Sequence, residues 1–184
     1  MLTINFNPFP ILETNRLILR RPVATDVHEM FAMRSNPVLM RYVPRPLCKN
    51  LEDAAAHLSL INSKIDENLG INWAVTLRGN DKMIGLMGIY QLRPEDYRGE
   101  IGYMVLGEYS GQGITSEAVR AIVQYGFDGL KLNSVEAIID PANIASQMVL
   151  EKNGFRREAH LRENVFYEGQ FLDSVIYSRL ASDH

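Results

Sequence analysis

The stretch that decides the fold is Gly102-Tyr-Met-Val-Leu-Gly-Glu-Tyr-Ser-Gly-Gln-Gly-Ile-Thr-Ser-Glu-Ala-Val119. A strand-like run at its start leads into a glycine turn, and that turn opens directly onto an amphipathic helix. A glycine turn at a helix start presents free backbone N–H groups and the positive end of the helix, which together favour a phosphate. A second strand, 135–139, follows and ends at the polar residues Asp140 and Asn143. This order indicates a nucleotide-tailed cofactor with chemistry beside it.

Length, charge and cysteine content limit the class of protein. A chain of 184 residues is long enough for one well-packed domain and too short for two of ordinary size. The net charge of −3 gives no reason to expect a nucleic-acid partner. The single cysteine, Cys48, cannot form an internal disulfide, and the sequence shows neither a signal peptide nor a membrane span. These features predict a cytoplasmic protein that binds neither nucleic acid nor a membrane.

The hydrophobic periodicity predicts a mixed order of strands and helices. The predicted elements are, in chain order, a strand at 16–21, a helix from an N-cap at Thr25 to Arg34, a helix from Asn50 to Gly70, strands at 72–77, 83–90 and 98–105, the helix after the glycine turn, a strand at 135–139, a helix that stops at 151–155, and a hairpin of 155–165 with 171–180. Strands in a row followed by β-α-β-α-β-β predict one α/β (α+β) domain. Its sheet is expected to be single, mixed and mostly antiparallel, with helices on its faces.

Four segments carry a resemblance to a known family. They are Leu12–Arg20, Glu100–Tyr103, Asn143–Phe155 and Gly169–Asp173. In their order and spacing they resemble the GNAT acetyltransferases, which are acyl-CoA-dependent N-acyltransferases, and most closely the RimJ/RimL-like branch of ribosomal-protein N-acetyltransferases. The resemblance extends from about residue 12 to residue 180. It implies a single GNAT domain over residues 1–184, with acetyl-CoA as co-substrate.

The glycine turn matches the phosphate-binding turn of that family in part. The family's turn usually reads Arg or Gln, two residues, Gly, one residue, then Gly or Ala, whereas this chain reads Ser110-Gly-Gln-Gly113-Ile-Thr115. Ser110 can offer its N–H and its hydroxyl, while Thr115 adds bulk where a small residue lets the backbone approach closely. The resemblance implies the following cofactor-binding residues: Met104, Val105, Ser110, Gly111, Gln112, Gly113, Ile114, Thr115, Asn143 and Lys152.

Other phosphate and metal motifs fit the chain less well. A P-loop ends in Gly-Lys-Ser/Thr, which the sequence lacks, and a dinucleotide fingerprint needs a third glycine where Ser116 stands. His28 and His160 have no second ligand at helical or strand spacing, so no metal is expected.

Glu100 is the first candidate for a general base. Amine acylation needs a neutral amine, a polarised thioester carbonyl and a proton for the leaving thiolate. Glu100 lies on the strand that leads to the cofactor turn and could act through a water. The alternative is an exposed carboxylate paired with Arg98, and Asp140 is a weaker candidate because an Asp-Pro pair can simply shape a turn. The resemblance implies that a backbone N–H near Val105 holds the carbonyl.

Ser146 is the candidate proton donor to the leaving sulfur. Many GNAT enzymes place a tyrosine where this chain has Leu150, which cannot donate a proton. Ser146 matches a serine of the RimJ/RimL-like branch, so the resemblance implies a hydrogen bond from its hydroxyl to the sulfur. The alternative is an early-helix residue that helps to cap the turn. The same resemblance implies that Asn143 contacts the cofactor's pantetheine arm or the serine region. The alternative is that Asn143 is an ordinary N-cap.

The predicted function is transfer of an acetyl group to a primary amine, directly within a ternary complex. The branch resemblance favours the α-amine of a protein N-terminus as the acceptor. Trp73 and Tyr90 could wall the acceptor cleft, although strand aromatics are usually core. Two alternatives remain open: acetylation of a small amine such as an amino acid, polyamine or aminoglycoside, and a non-catalytic acyl-CoA-binding module. The acidic composition favours a basic acceptor, and a homodimer would suit the branch.

Overall fold

The computed structural model describes residues 1–183, which form eight strands and four α-helices. The strands are β1 (Leu12–Glu13), β2 (Leu17–Arg20), β3 (Ile71–Leu77), β4 (Asn80–Arg93), β5 (Arg98–Val105), β6 (Ser134–Ile139), β7 (Arg156–Tyr167) and β8 (Gln170–Leu180). The helices are α1 (Val27–Arg34), α2 (Leu51–Asp66), α3 (Ile114–Asp128) and α4 (Ile144–Lys152). Single 3-10 turns precede α1 and α3 at Ala24–Asp26 and Gly107–Tyr109.

The strands form one sheet in the order β1-β2-β3-β4-β5-β6-β8-β7. Neighbouring strands are antiparallel throughout the sheet except for β5 and β6, which are parallel. The parallel pair follows from the chain path, because α3 carries the chain from the end of β5 back to the start of β6. The single, mixed and mostly antiparallel sheet expected from the sequence is confirmed.

The helices cover both faces of the sheet. On one face, α3 packs against β3, where the rings of Tyr125 and Trp73 meet edge-on at 5.5 Å. Arg20 lies opposite Ala74, the next residue along β3, so its side chain points to the other face. There it binds Asp26, immediately before α1, at 2.8 Å. The start of α1 therefore lies on the face opposite α3.

The two N-terminal helices begin differently. The side chain of Asn50 accepts a hydrogen bond from the N–H of Asp53 at 2.8 Å and caps α2, which confirms the predicted helix start at Asn50. The predicted cap of α1 at Thr25 is wrong. The buried carboxylate of Asp26 accepts from the N–H of Val23 at 2.9 Å and holds a 3-10 turn, so the α-helix begins at Val27.

The parallel pair is short, and the two strands part at its end. Only three residue pairs join β5 to β6, and the last of them is Glu100 opposite Glu136. Beyond that point β5 continues to Val105 and β6 to Ile139 without pairing to each other. This split leaves one edge of β5 free from Ile101 onward, and its backbone groups face the gap. Within residues 1–183, no helix has the length and apolar character needed to cross a membrane.

Candidate active site

Glu100 lies at the point where β5 and β6 part. Its side chain is only 7% exposed, and its Oε1 accepts a hydrogen bond from the Tyr90 hydroxyl at 2.8 Å. Tyr90 lies directly opposite on β4, and its ring packs over Gly102. A Cβ at Gly102 would come within 2.5 Å of that ring, so glycine is required for the two side chains to meet. Tyr90 thus supports the candidate base and is not merely core.

The surroundings of Glu100 raise its pKa above the ordinary carboxyl value. Burial is the largest cause, and the nearby Glu136 carboxylate adds to it, while the hydrogen bond from Tyr90 acts in the opposite direction. A carboxylate with a raised pKa is a better proton acceptor. Burial and a raised pKa are properties that the predicted role of general base would use.

The predicted alternative, a Glu100 carboxylate exposed and paired with Arg98, is wrong. Arg98 pairs with Glu136 instead, and Arg93 binds the other oxygen of Glu136 at 2.7 Å. The parallel register explains the difference, because it puts Glu136 opposite Glu100 and diagonal to Arg98 on the same face. Two guanidinium groups thus neutralise Glu136 and leave Glu100 without an ion-pair partner among residues 1–183.

Ser146 lies in the first turn of α4 and is hydrogen-bonded to β5. Its side chain is 7% exposed, and its Oγ is 2.6 Å from the hydroxyl of Tyr103. Burial raises the pKa of Tyr103 to about 12, so this hydroxyl keeps its proton at neutral pH. The N–H of Ser146 donates to Asn143 Oδ1 at 3.1 Å, so Asn143 is the N-cap of α4. Ser146 therefore takes part in both interactions, through its N–H in the helix cap and through its hydroxyl in the hydrogen bond with Tyr103.

Glu100 and the Tyr103–Ser146 pair lie on opposite faces of the sheet. Ile101 lies opposite Ile89, whose side chain meets α3, so the odd-numbered side chains of β5 face α3. Tyr103 therefore points to the α3 face, where α4 also lies, and Glu100 points to the other. A candidate proton acceptor and a candidate proton donor thus flank the split from its two sides.

The glycine turn before α3 is open and rich in free donors. Gly111 and Gly113 both have positive φ, 73° and 76°, which favours glycine there. The N–H groups of Gly111, Gln112 and Gly113 donate to no protein atom within residues 1–183. A Cβ at Gly111 would meet nothing within 4 Å. Free N–H groups, open space and a helix start suit the phosphates of a nucleotide-tailed molecule.

The family model for the acetyltransferase (GNAT) domain matches residues 16–156. The chain belongs to the GNAT acetyltransferase family. It is an enzyme, an N-acetyltransferase, in agreement with the resemblance seen in the sequence.

Other proteins resemble this acetyltransferase in sequence or in fold. YoaA of Bacillus subtilis, an uncharacterized N-acetyltransferase, is 35% identical over 92% of this chain and 96% of its own. The structure of a GNAT-family acetyltransferase from Bacillus anthracis is 26% identical, with a TM-score of 0.83 over 93% of this chain and 98% of that one. RimL, a ribosomal L7/L12 alpha-N-protein acetyltransferase solved with coenzyme A, has a TM-score of 0.85 at 18% identity, over 95% and 100% of the two chains. The last comparison shows a common fold alone.

A groove of about 690 Å³ runs beside the glycine turn of this acetyltransferase. Its walls include three cations, namely Arg16, Arg120 and Lys152. Arg16 also holds the turn, since its Nη1 donates to the carbonyl of Gln112 at 3.0 Å and its Nε to Glu117 at 2.6 Å. Phosphate groups fit such a groove. Lys152 is among the residues predicted from the sequence, whereas Arg16 and Arg120 are not. Arg16 reaches the groove through the packing of β2 against α3, and Arg120 lies on α3 itself.

The remaining predicted cofactor residues differ in what they can offer. The N–H of Ser110 is engaged with the carbonyl of Gly107 at 3.1 Å, so only its hydroxyl is left for a phosphate. Ile114 is 3% exposed, so its side chain belongs to the core and its backbone alone faces the turn. Thr115 is half-buried in the first turn of α3. Met104 and Val105 lie on the free edge of β5.

Three other candidates have structural roles. Asp140 accepts a hydrogen bond from the N–H of Ala142 at 2.7 Å, so it shapes the turn before α4. Trp73 is fully buried, as expected of a core residue, and its indole N–H donates to the carbonyl of Pro10 at 2.7 Å. His160 pairs with Asp173 on the exposed β7–β8 hairpin at 2.7 Å. Residues 1–183 contain no cluster of three or more His, Cys, Asp or Glu side chains that could hold a metal ion.

Proposed function

We propose that this enzyme transfers an acetyl group from acetyl-CoA to the α-amine of a protein N-terminus, directly within a ternary complex. The observation that carries the proposal is the pair of buried groups on either side of the β5–β6 split, Glu100 on one face and Ser146 with Tyr103 on the other. The amine is held on the Glu100 face. The cofactor lies along the glycine turn and groove on the α3 face, with its thioester in the split.

Glu100 removes the proton of the attacking amine, through a water. An α-amine has a pKa of about 8, whereas the pKa of a lysine amine is above about 10. The α-amine therefore needs less help from a base to lose its proton at neutral pH. A single carboxylate whose pKa is raised by burial matches that smaller demand. The neutral hydroxyl of Tyr90 keeps the carboxylate oriented.

The free edge of β5 and the Ser146 hydroxyl act on the thioester. A backbone N–H near Val105 holds the carbonyl oxygen as negative charge develops on it. The new C–N bond forms, the C–S bond breaks, and Ser146 gives its proton to the departing thiolate. Tyr103, 2.6 Å away, orients the serine hydroxyl and keeps its own proton, while water returns to Ser146 the proton that the acylated nitrogen loses. No acyl-enzyme is formed.

The cofactor is held by the groups that the sequence and the groove supply together. The N–H groups of Gly111, Gln112 and Gly113 bind the pyrophosphate, with the backbone of Ile114 and Thr115 and the hydroxyl of Ser110 completing the turn. Arg16, Arg120 and Lys152 bind the remaining phosphate. The side-chain amide of Asn143 reaches the pantetheine arm.

A ligand-induced shift in Tm and an acceptor panel test the proposal. Acetyl-CoA at about 100 times its Kd should add roughly 2.7 kcal/mol of stability, several degrees of Tm. Release of free CoA should then follow addition of unblocked peptides and not of the same peptides with blocked N-termini. Turnover with spermidine or free amino acids but no peptide would overturn the choice of acceptor. Sedimentation of the purified enzyme tests whether it forms the homodimer that would suit the resemblance.

A further inference from the structure

Positive charge is concentrated around the connection between α1 and α2. The segment from Met30 to Leu51 carries four cations, Arg34, Arg41, Arg45 and Lys49, and no Asp or Glu. The whole chain has a net charge of −3, so this segment differs in sign from the rest of the molecule. Such segregation marks a surface that receives the opposite charge.

These cations lack acidic partners within residues 1–183. Arg16, Arg20 and Arg93 all form ion pairs, whereas none of the four cations between Met30 and Leu51 does. Arg34 is half-buried, its Nη1 lies 3.5 Å from the sulfur of Met40, and its buried Nε has no hydrogen-bond partner. A guanidinium in this state has donors to spare for a ligand.

The surroundings of His57 on α2 show the same excess of positive over negative charge. Burial, followed by the charges of Arg34, Arg45 and Lys64, lowers the pKa of His57 to about 4. No carboxylate is among the groups that act on it. The imidazole is therefore neutral at pH 7 and half-buried beside cations whose charge no acidic side chain offsets.

The cluster of Arg34, Arg45 and His57 borders the proposed acceptor side. The charge of Arg45 is close enough to Glu100 to lower the pKa of that carboxyl, and it acts on Tyr90 in the same way. The charge of Arg34 reaches Tyr167, at the tip of the β7–β8 hairpin. Charges of the cluster therefore reach both the candidate base and the hairpin tip, and Arg34 ends α1, which begins on the Glu100 face of the sheet.

We propose that Arg34 and Arg45 form an anion subsite that binds a carboxylate of the acceptor next to its reacting amine. The inference rests on the proposed function and narrows it: the acceptor is an N-terminus followed within a few residues by Asp or Glu. It reverses the expectation of a basic acceptor, because the local charge of the cleft and not the net charge of the chain meets the substrate.

Paired peptides test the subsite through turnover. One peptide begins Ala-Asp-Asp and the other Ala-Asn-Asn, and the rest of their sequences is identical. Free aspartate is assayed as a third acceptor, to show whether the carboxylate that binds belongs to a peptide or to a small molecule. We expect kcat/KM to favour the acidic peptide by about fivefold or more, with a preference that shrinks as salt is added. The ratio should fall toward 1 in Arg45→Gln and in Arg34→Gln. Equal use of both peptides by the wild type, or an unchanged ratio in both variants, would overturn the subsite.

Arg41→Gln is the matched control on the same connection. The Arg41 guanidinium lies 5.3 Å from the ring of Tyr42, and Arg41 is not among the groups that act on Glu100 or His57. It should keep the wild-type ratio. Because a ratio of two peptides is compared, any effect of Arg45→Gln on the base itself cancels.

NMR titration of His57 gives a second readout that does not depend on turnover. Adding the acidic peptide in the absence of acetyl-CoA should raise the His57 midpoint from about 4 in the wild type. In Arg45→Gln the peptide should leave the midpoint at that variant's own peptide-free value. A rise without any acetylation would refute the proposed function and leave the subsite standing. Peptide acetylation with an unmoved His57 would refute the subsite alone.

Discussion

The hydroxyl of Tyr90 is the one hydrogen-bond donor to the Glu100 side chain within residues 1–183, and it lowers the pKa that burial raises. Tyr90→Phe removes the donor, so the pKa of Glu100 should rise further. The carboxyl would then stay protonated to a higher pH, and the acidic limb of kcat/KM should move to higher pH. A pH–rate profile at saturating acetyl-CoA checks this, with Tyr97→Phe on the exposed β4–β5 turn as control. If the acidic limb lies at the same pH in Tyr90→Phe as in the wild type, Glu100 is not the general base.

Tyr103 gives a second prediction at the same scale. Tyr103→Phe leaves the Ser146 hydroxyl without its partner at 2.6 Å. We expect kcat to fall by about 10-fold or more, as for loss of proton transfer, while the Kd for acetyl-CoA stays within about twofold. Steady-state kinetics and isothermal titration measure the two quantities. A change in Kd with unchanged kcat would make Tyr103 a structural residue of the cofactor site.

At the scale of elements, the contact between β4 and β5 depends on the absence of a side chain at Gly102. Gly102→Ala places a Cβ against the Tyr90 ring, and such overpacking costs roughly 1–3 kcal/mol. For a chain of this size that corresponds to about 2–4 °C of Tm per kcal/mol. Gly107→Ala is the control, because a Cβ there meets nothing within 4 Å. Equal Tm values for the two variants would contradict the packing described here.

The junction of β2 with α3 depends on Glu117. Burial alone would raise the pKa of Glu117, but hydrogen bonds from Thr14 and Arg16 outweigh it and lower the pKa. A lowered pKa contributes stability above the ordinary carboxyl value and loses it as the pH falls. Glu117→Gln should therefore lower Tm at neutral pH and change it little in acid. Melting curves at several pH values, with the exposed Glu108→Gln as control, decide the matter; a pH-independent difference would contradict the charge argument.

Element order and sheet type could be predicted from the sequence, because periodicity and turn residues are local signals. The family resemblance is the source of the predictions for Glu100, Ser146 and the glycine turn, which stay predictions. Tyr90 and Tyr103 could not be assigned, since their roles depend on cross-strand register and on which face each side chain takes. Arg98 was given the wrong partner for the same reason. The unpaired cations beside the cleft were hidden by the net charge of the chain, which averages over the whole molecule.

At the scale of the whole molecule, the prediction of one domain over residues 1–184 implies that the chain unfolds cooperatively. The strands form a single sheet, and the buried residues of both faces form one continuous core. We expect calorimetry to show a single unfolding transition whose calorimetric and van't Hoff enthalpies agree. Two separable transitions would show that the N-terminal and C-terminal halves unfold independently.

The proposed reaction requires Glu100 and Ser146 to act from opposite sides of the split. The most direct test measures kcat and the acetyl-CoA Kd for Glu100→Gln and Ser146→Ala, with the exposed Glu95→Gln as control. We expect both site variants to lose kcat by about 10²-fold or more, while Kd, Tm and the control stay near wild type. Wild-type turnover in both variants would show that neither side chain takes part in the reaction.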